Sequence, residues 1–408
     1  MYKQLTQIML LSLLLIVCAQ SALAQHVVDL TGNVPIYGQQ QCIWCGAASA
    51  QMIMNGYPNP ADRLFHTQLN IWNTIQANNS TDPADAGWAT DPIGLREALM
   101  LLNPPPGGTW SRHENSNRDT VMFDILYWMN RNNYPVGTLI NRGGHWVVIV
   151  GYQTDIAPVS GSNPTLQQIT KYDPEPHNVG SQSTMTAAVW YATDWVGPVQ
   201  YAGTWSNKYV AVIEPPVQKG RIKIERINRI GDKVISPKEA VRNAKTWIEK
   251  LGLSKKPSYA ILQRKTVRNL QPLLVREQIK PDPNDKVPHY YIVPFGIQSE
   301  FDKSGVNLAR VCVIVNAYTG QFEEIATFGK PVKYIQKKEA LNVVARSLRM
   351  KSREIRKIAA TATLMFQPSD ITHIRIYPFW KIVVADRILY VDQLGELHAK
   401  LIPSIPGD

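Results

Sequence analysis

The net charge of the chain changes sign near residue 215, and this division constrains its possible folds more than any other feature. Residues 25–215 contain 8 Lys and Arg against 14 Asp and Glu, a net charge of −6, whereas residues 216–408 have a net charge of +16. Nine of the eleven tryptophans also precede residue 216. Two domains of different ancestry are the simplest explanation, with a boundary near Pro215-Pro216.

The first 24 residues have the pattern of a secretory signal peptide. Lys3 gives a positive start, an apolar run extends from Met9 to Val17, and Ala22-Leu23-Ala24 is a small-x-small cleavage site. The apolar run is shorter than the roughly 20 residues that a bilayer span requires. We therefore expect residues 1–24 to be removed and the remaining chain to be periplasmic or secreted.

Cysteine usage points to a working thiol rather than to a disulfide scaffold. After the signal segment the chain has three cysteines, Cys42, Cys45 and Cys312. An odd and small number in an exported protein argues against a set of structural disulfides. At least one of these thiols is therefore expected to have a chemical role.

Cys45 is predicted to be the first residue of a helix. Small residues follow it, then Gln51 to Met54, so residues 45–55 can make about three helical turns that Gly56 can cap. The unpaired amides and the positive end of the helix dipole would favour the thiolate that a cysteine nucleophile requires. The side-chain amide of Gln39, six residues upstream, could fold back beside the sulfur and form an oxyanion hole with the Cys45 backbone N–H.

His145 is the predicted base for this thiol, and Asp173 is its predicted partner. Gly143-Gly144 allows a tight turn, after which His145 opens a β-rich run through Val150. Asp173 lies at the end of a second short strand that Pro174 terminates. If the two strands are neighbours, the carboxylate can orient the imidazole, giving Cys, His and Asp in chain order.

At these residues the sequence resembles the papain-like cysteine peptidases, nearest to the bacterial branch with bacteriocin-processing peptidases and effector proteases. The matching residues cover roughly residues 30 to 215 and are Gln39, Cys45-Gly46-Ala47-Ala48-Ser49, Gly144-His145-Trp146-Val147-Val148 and Asp173-Pro174. The resemblance implies peptide-bond hydrolysis through an acyl-enzyme on Cys45, with His145 as general base and acid, Asp173 orienting it and Gln39 in the oxyanion hole. It implies no metal and no organic cofactor. The expected partner is a peptide or protein substrate.

Other interpretations of the same residues remain open. A buried small Cys, a structural His and an Asp-Pro turn would explain each residue separately, and Asp155 and His177 are the reserves if the assignment is displaced. Cys42-x-x-Cys45 also has the spacing of a thiol-redox pair, although no βαβ pattern surrounds it. Zinc binding is weaker still, since no second Cys or His pair lies at ligand spacing. A transpeptidase or amidase and a non-catalytic exported binding protein are the remaining alternatives.

The basic region contains an apparent repeat. A helix starting at Ser236 and another starting near Lys338 are each followed by two strands, and both copies end in a Val-Asn/Asp turn with Gly. This order resembles PepSY-type modules, which implies an inhibitory or targeting role. The basic region could dock on the acidic domain or bind an anionic cell-envelope surface. Nucleic acid is not expected, because the basic residues are scattered.

The predicted fold class is therefore α+β. In residues 25–215, helices at 92–99 and 119–130 precede strands that begin near Thr138, which is the order of a papain-like domain with N-terminal helices and a C-terminal antiparallel sheet. Two small PepSY-like α+β repeats would follow. The predicted boundaries are 1–24 for the signal peptide, 25–215 for the peptidase domain, 216–234 for a linker, and 235–330 and 331–408 for the two modules.

Overall fold

A computed structural model describes residues 25–56, 66–102, 110–213, 229–278, 288–302, 305–385, 387–402, 404 and 407. The predicted signal peptide and residues 216–228 of the predicted linker lie outside the described residues. The α-helices of the described part are α1 (Cys45–Met54), α2 (Gln68–Asn78), α3 (Pro92–Leu102), α4 (Arg118–Asn132), α5 (Ala187–Thr193), α6 (Pro237–Lys250), α7 (Lys337–Ser347) and α8 (Ser352–Ile358).

The described strands all belong to one hydrogen-bonded sheet. Its continuous path runs β16-β15-β14-β13-β9-β10-β11-β12-β6-β5-β4-β3-β7-β2, with β1 beside β4 and β8 beside β10. The strands are β1 (His26–Asp29), β2 (Ser111–Asn115), β3 (Val136–Ile140), β4 (His145–Thr154), β5 (Leu166–Asp173), β6 (Ser181–Thr186), β7 (Tyr209–Ile213), β8 (Val267–Asn269), β9 (Leu273–Glu277), β10 (His289–Ile297), β11 (Ala309–Asn316), β12 (Phe322–Val332), β13 (Ala359–Phe366), β14 (Phe379–Val384), β15 (Arg387–Val391) and β16 (Leu397–His398).

The continuous sheet contradicts the predicted fold class. A papain-like α+β domain followed by two separate PepSY-like repeats would give three sheets, but β12 pairs with β6 from Glu324↔Met185 to Phe328↔Ser181. The parallel pairing of β13 with β9 then joins the two predicted repeats at Met365↔Arg276. Edge strands carry unpaired backbone groups that pair with any suitable neighbour, and the residue pattern of a strand does not identify that neighbour. The prediction of separate α+β units was therefore wrong.

The two predicted repeats also share a hydrophobic core. In β10, Tyr290 and Ile292 pack with α7 and the strands after it, whereas Tyr291 and Val293 pack with α6 on the opposite face. Successive side chains of a strand point to opposite faces, so β10 is buried on both sides. The core on the α7 face contains residues of both predicted repeats, whereas the core on the α6 face contains only residues between 240 and 325, all from the first repeat.

The individual helices agree more closely with the sequence. The helix predicted from Cys45 begins at that residue and ends at Met54. The helix predicted from Ser236 has the Ser236 hydroxyl accepting the N–H of Glu239, which is an N-cap with proline at the next position. These signals are local, and they place helix starts to within one residue. Among the described residues, no helix combines the length and apolar character needed to cross a bilayer.

A buried charge network lies where the sheet passes from β9 to β12. The Arg375 Nε donates to Glu277 at 2.7 Å and its Nη2 donates to Glu323. Arg229 pairs with the same two carboxylates, at 2.6 Å from Glu277 and 2.9 Å from Glu323. Burial alone would raise the pKa of Glu323, but the two guanidinium groups outweigh it and lower that pKa to about 2. These residues hold the two halves of the C-terminal region together through ion pairs.

Glu324 is a buried acid at the seam between β12 and β6, and we expect it to make stability depend on pH. Burial raises its pKa from 4.5 to about 7, although Arg375 opposes the shift. The folded chain therefore binds more protons than the unfolded chain between pH 4.5 and about pH 7. This stabilising contribution is fully present below the unfolded pKa and is lost as pH rises through the folded pKa, with a total of about 3 kcal/mol.

Chemical denaturation from pH 5 to 8 tests this expectation with Glu324→Gln. The free energy of unfolding of the wild type should fall with rising pH relative to that of the variant. Glu97→Gln is the control, because Glu97 is partly exposed beside Arg96. Parallel pH profiles for the wild type and Glu324→Gln would contradict the assignment.

Candidate active site

Cys45 begins α1, and its sulfur lies against the strand that starts at His145. The Trp146 backbone N–H donates to Sγ at 3.3 Å. One turn further along the helix, the Ser49 hydroxyl donates to the Trp146 carbonyl at 3.2 Å. These bonds fix the start of the helix to β4. The N–H of Trp146 and the unpaired amides of the helix start both favour negative charge on the sulfur.

The turn before His145 is tighter than its two glycines suggest. Asn141, Arg142 and Gly143 have φ values of 50°, 57° and 96°. Three successive residues in the left-handed region are costly for the two that have a Cβ. Hydrogen bonds hold this turn, since the Asn141 N–H donates to the Asp194 carbonyl at 2.8 Å. His145 is thereby placed at the first position of β4, fully buried.

Asp173 meets His145 as the sequence predicts. His145 Nε2 lies 2.8 Å from Asp173 Oδ1, and the Glu175 N–H donates to the same oxygen at 3.0 Å. An ionised carboxylate can only accept, so Nε2 carries the proton and Nδ1 is the ring atom that can accept another. Antiparallel pairing of β4 with β5 brings the two residues together across 28 positions.

Lys171 is a third buried partner that the sequence analysis missed. Its Nζ lies 2.9 Å from Asp173 Oδ2 and also contacts Asp194. Burial alone would raise the pKa of Asp173, but Lys171 and then His145 outweigh it and hold that pKa well below its usual range. Residues 171 and 173 share one face of β5, so the alternation of side chains could have indicated this pair.

Gln39 lies upstream of Cys45, and its side-chain amide is directed at a backbone carbonyl between the two residues. Its Nε2 donates to the Cys42 carbonyl at 2.7 Å and lies 2.9 Å from His177 Nε2. The Gln39 N–H donates to the Pro174 carbonyl at 2.9 Å, which ties this loop to the segment after Asp173. The side chain therefore occupies the predicted neighbourhood, and its role in an oxyanion hole stays a prediction.

The two reserve residues have different surroundings. Asp155 closes a hairpin, because its Oδ1 accepts the N–H groups of Ile156 at 2.9 Å and Thr165 at 2.6 Å. His177 is half-buried, and burial lowers its pKa. It contacts Gln39, so it belongs to the site, but the described contacts of Asp173 make that residue the partner of His145.

The three cysteines in the described part of the chain differ in environment and are not joined by a disulfide. Cys42 is exposed, whereas Cys45 and Cys312 are buried. Burial in β11 raises the pKa of the Cys312 thiol well above its ordinary value. Cys312 is therefore an unreactive thiol, and Cys42 has the exposure of an ordinary surface thiol.

A second histidine–carboxylate pair lies next to the first. His373 Nδ1 is 2.7 Å from Glu175 Oε1, and its backbone N–H donates to Glu175 Oε2 at 2.8 Å. The His373 ring stacks on His145 with 4.6 Å between centroids and 6° between planes. Burial alone would raise the pKa of Glu175, but His373 outweighs it and lowers that pKa. No sequence signal connects His373 with Glu175, since 198 residues separate them.

The site also contains residues from the far C-terminal segment. The Gly407 N–H donates to the Gly143 carbonyl at 2.7 Å, and the Cys45 thiol donates to the Gly407 carbonyl at 3.5 Å. The Ser404 hydroxyl lies 2.6 Å from His373 Nε2. Residues of the basic region therefore cover the sulfur that the sequence assigns as nucleophile.

Two groups in the described part of the chain have side chains that could hold a metal ion. His145, Glu175 and His373 form one buried group, and Asp392, Glu396 and His398 form a more exposed one, with ligand atoms within 4.8 Å of one another in each. In the first group Glu175 and His373 already bond to each other and His145 bonds to Asp173. Each of the three side chains in the first group therefore has a hydrogen-bond partner.

Comparisons with known proteins do not assign a family. No family model matches the chain, and no curated protein matches it. A solved structure, the Bacillus megaterium YpeB C-terminal domain, matches with 12% identity over 74% of this chain and 92% of its own, at a TM-score of 0.16. That score is too low to assign a fold, so the function must be argued from the site.

Proposed function

We propose that this chain is an exported cysteine peptidase that hydrolyses peptide bonds through an acyl-enzyme on Cys45. The observation that carries the proposal is the 2.8 Å contact between His145 Nε2 and Asp173, with the Cys45 sulfur bonded to the backbone of the next residue, Trp146. A base held by a buried carboxylate next to a thiol at a helix start is the arrangement that activates a cysteine nucleophile. The signal-like segment at residues 1–24 supports export.

The chemistry follows from the positions of the protons. His145 Nδ1 accepts the Cys45 proton, and the thiolate attacks the carbonyl carbon of the scissile peptide. In this proposal the backbone N–H of Cys45 stabilises the oxyanion, with the Gln39 amide as the second expected donor. His145 then protonates the leaving amine, which departs and leaves a thioester. Water, deprotonated by His145, hydrolyses the thioester and regenerates the thiol.

Asp173 keeps the imidazole in the required tautomer throughout this cycle. Lys171 and His145 outweigh burial and hold the pKa of Asp173 well below its usual range, so this carboxylate is ionised near neutral pH. An ionised Asp173 stabilises the imidazolium that forms when His145 accepts the proton. The second His–carboxylate pair packs against this ring and restricts its rotation.

Thiol labelling followed by mass spectrometry tests the proposal. The full chain and Gly407→Val, each with and without His145→Ala, are treated with iodoacetamide from pH 5 to 9. Gly407→Val is included because Gly407 covers the sulfur. In the Gly407→Val background we expect rapid labelling of Cys45 already at pH 6, and a loss of at least about 100-fold when His145 is removed.

Two internal controls are available in the same molecule. Cys42 is exposed and provides a reference labelling rate in the same molecule at each pH. His113→Ala removes another buried histidine paired with an aspartate, Asp124 at 3.2 Å, and should leave the labelling of Cys45 unchanged. Labelling of Cys45 that follows the Cys42 profile and ignores His145 would overturn the proposal. Hydrolysis of a peptide library, abolished in Cys45→Ala, would complete the test.

A further inference from the structure

Four described residues near the C-terminus, Leu401, Ile402, Ser404 and Gly407, run into the site and are called the tail residues. The last of them, Gly407, is buried and bonds through both of its backbone groups. Its N–H donates to the Gly143 carbonyl, in the turn before His145, and its carbonyl accepts from the Cys45 thiol. One backbone carbonyl of the tail residues is therefore hydrogen-bonded to the sulfur that the proposed function assigns as the nucleophile.

The space around Gly407 accepts no side chain. A Cβ built on Gly407 would lie 1.9 Å from the backbone oxygen of Thr90. That oxygen is fixed because it accepts the Trp146 indole N–H at 2.9 Å. The φ of Gly407 is 67°, a region that L side chains rarely adopt. Both the backbone conformation and the wall of the site therefore require glycine at this position.

Ser404 holds the tail residues three positions earlier. Its hydroxyl lies 2.6 Å from His373 Nε2, and its carbonyl accepts from the Tyr201 hydroxyl. His373 is itself fixed by Glu175, and its carbonyl accepts from the Asn141 side chain at 3.0 Å. Ser404 is thus hydrogen-bonded both to Tyr201 of the acidic region and to His373 of the basic region.

Ile402 joins the tail residues to the rest of the basic region. Its N–H donates to Asp370 Oδ1 at 2.9 Å, and the Asp370 N–H donates to the Ile402 carbonyl at 3.0 Å. The tail is therefore bonded at three successive points, residues 402, 404 and 407, from the basic region to the nucleophile. The tail residues and the site belong to the same chain, so their binding is intramolecular and does not depend on the protein concentration.

The Gly407 carbonyl is not placed for cleavage. The Cys45 thiol donates to its oxygen, so the sulfur approaches the oxygen and not along a path to the carbon. The Gln39 amide, the expected oxyanion donor, donates to the Cys42 carbonyl instead. A peptide bound to the nucleophile in this manner blocks the site without being consumed.

We propose that the tail residues are an intramolecular pseudosubstrate that keeps Cys45 covered until they are displaced, with the hydrogen bonds of Ser404 to His373 and Tyr201 as their latch. This inference rests on the proposed peptidase function for its biological meaning, but the covering of Cys45 can be measured without it. When the tail residues are displaced, a substrate peptide can bind to the Gly143 carbonyl and beside the Cys45 sulfur in place of Gly407. The basic region then acts as the inhibitor of the acidic one.

The rate of Cys45 labelling by iodoacetamide, relative to Cys42 in the same molecule, tests the latch in the full chain. Gly407→Val should raise the relative rate at least about 10-fold, because its side chain cannot enter beside Thr90. Gly161→Val is the matched control, since Gly161 has a φ of 82° with nothing within 4 Å of its Cβ position. It makes the same chemical change with similar backbone strain, and should leave the relative rate unchanged.

Two conservative variants keep the test independent of misfolding. Ser404→Ala and Tyr201→Phe each remove one hydrogen bond of the latch and should raise the relative rate about 5-fold, with thermal unfolding close to that of the wild type. Relative labelling rates equal to that of the wild type in Gly407→Val, Ser404→Ala and Tyr201→Phe would overturn the inference. Failure of the peptidase proposal has a different signature, namely faster labelling in Gly407→Val that does not depend on His145.

Discussion

Lys171→Met is expected to lower the free energy of unfolding by about 3–5 kcal/mol at pH 7. The substitution removes the buried ammonium group that pairs with Asp173 and Asp194, and leaves both carboxylates buried without this cation. The Lys171 side chain is 2% exposed, and its partners Asp173 and Asp194 are 0% and 7% exposed. Methionine keeps most of the volume, so the loss measures the charge and not a cavity. Chemical denaturation followed by tryptophan fluorescence would give the value.

Lys208→Met provides the matched control in the same region. Lys208 lies 3.0 Å from Glu114, but the two side chains are 35% and 27% exposed. Ion pairs that water can reach contribute little, so this variant should change the free energy of unfolding by less than about 1 kcal/mol. Lys171→Met with Asp194→Asn should recover part of the loss. Equal losses in Lys171→Met and Lys208→Met would contradict the burial argument.

Arg375→Met is expected to lower the free energy of unfolding by a similar amount, about 3–5 kcal/mol. Its side chain is 2% exposed, and the two carboxylates it contacts, Glu277 and Glu323, are 1% and 0% exposed. The guanidinium also lies 4.4 Å from the centre of the Tyr290 ring, so its removal loses a cation–π contact as well. Arg229 would remain paired with both Glu277 and Glu323.

The control for Arg375→Met is Arg242→Met on the exposed face of α6. Arg242 pairs with Glu239 at 3.2 Å, and its side chain is 71% exposed. We expect a change below about 0.5 kcal/mol. If Arg375→Met unfolds at the same denaturant concentration as Arg242→Met, the buried network does not hold the C-terminal halves together.

The residues that the structure brings together at the candidate site could largely be named from the sequence. Cys45 at a helix start, His145 after a tight turn and Asp173 at a strand end are local signals, and the structure places His145 beside Asp173 and the Cys45 sulfur beside Trp146. Lys171 could also have been found, since it shares a strand face with Asp173. Its burial, however, depends on Asp194 from the next helix end.

The way in which the strands and helices pack together could not be predicted from the sequence. The apolar run from Tyr290 to Phe295 reads as one strand, and nothing in it reveals that α6 and α7 cover its two faces. The turn and strand order of the basic region suggested two modules, but the modules share a core and a sheet. Hydrophobic periodicity reports whether a face is buried and not which element buries it.

The sequence by itself determined the helix that begins at Cys45, the strand that begins at His145 and the second strand that ends at Asp173, because each depends on residues within a few positions of one another. Only the tertiary structure decided that the sheet is continuous, that His373 stacks on His145, and that Gly407 lies 362 positions from the thiol it covers. Contacts between distant segments depend on which surfaces meet after folding, and one sequence does not encode that in any local pattern.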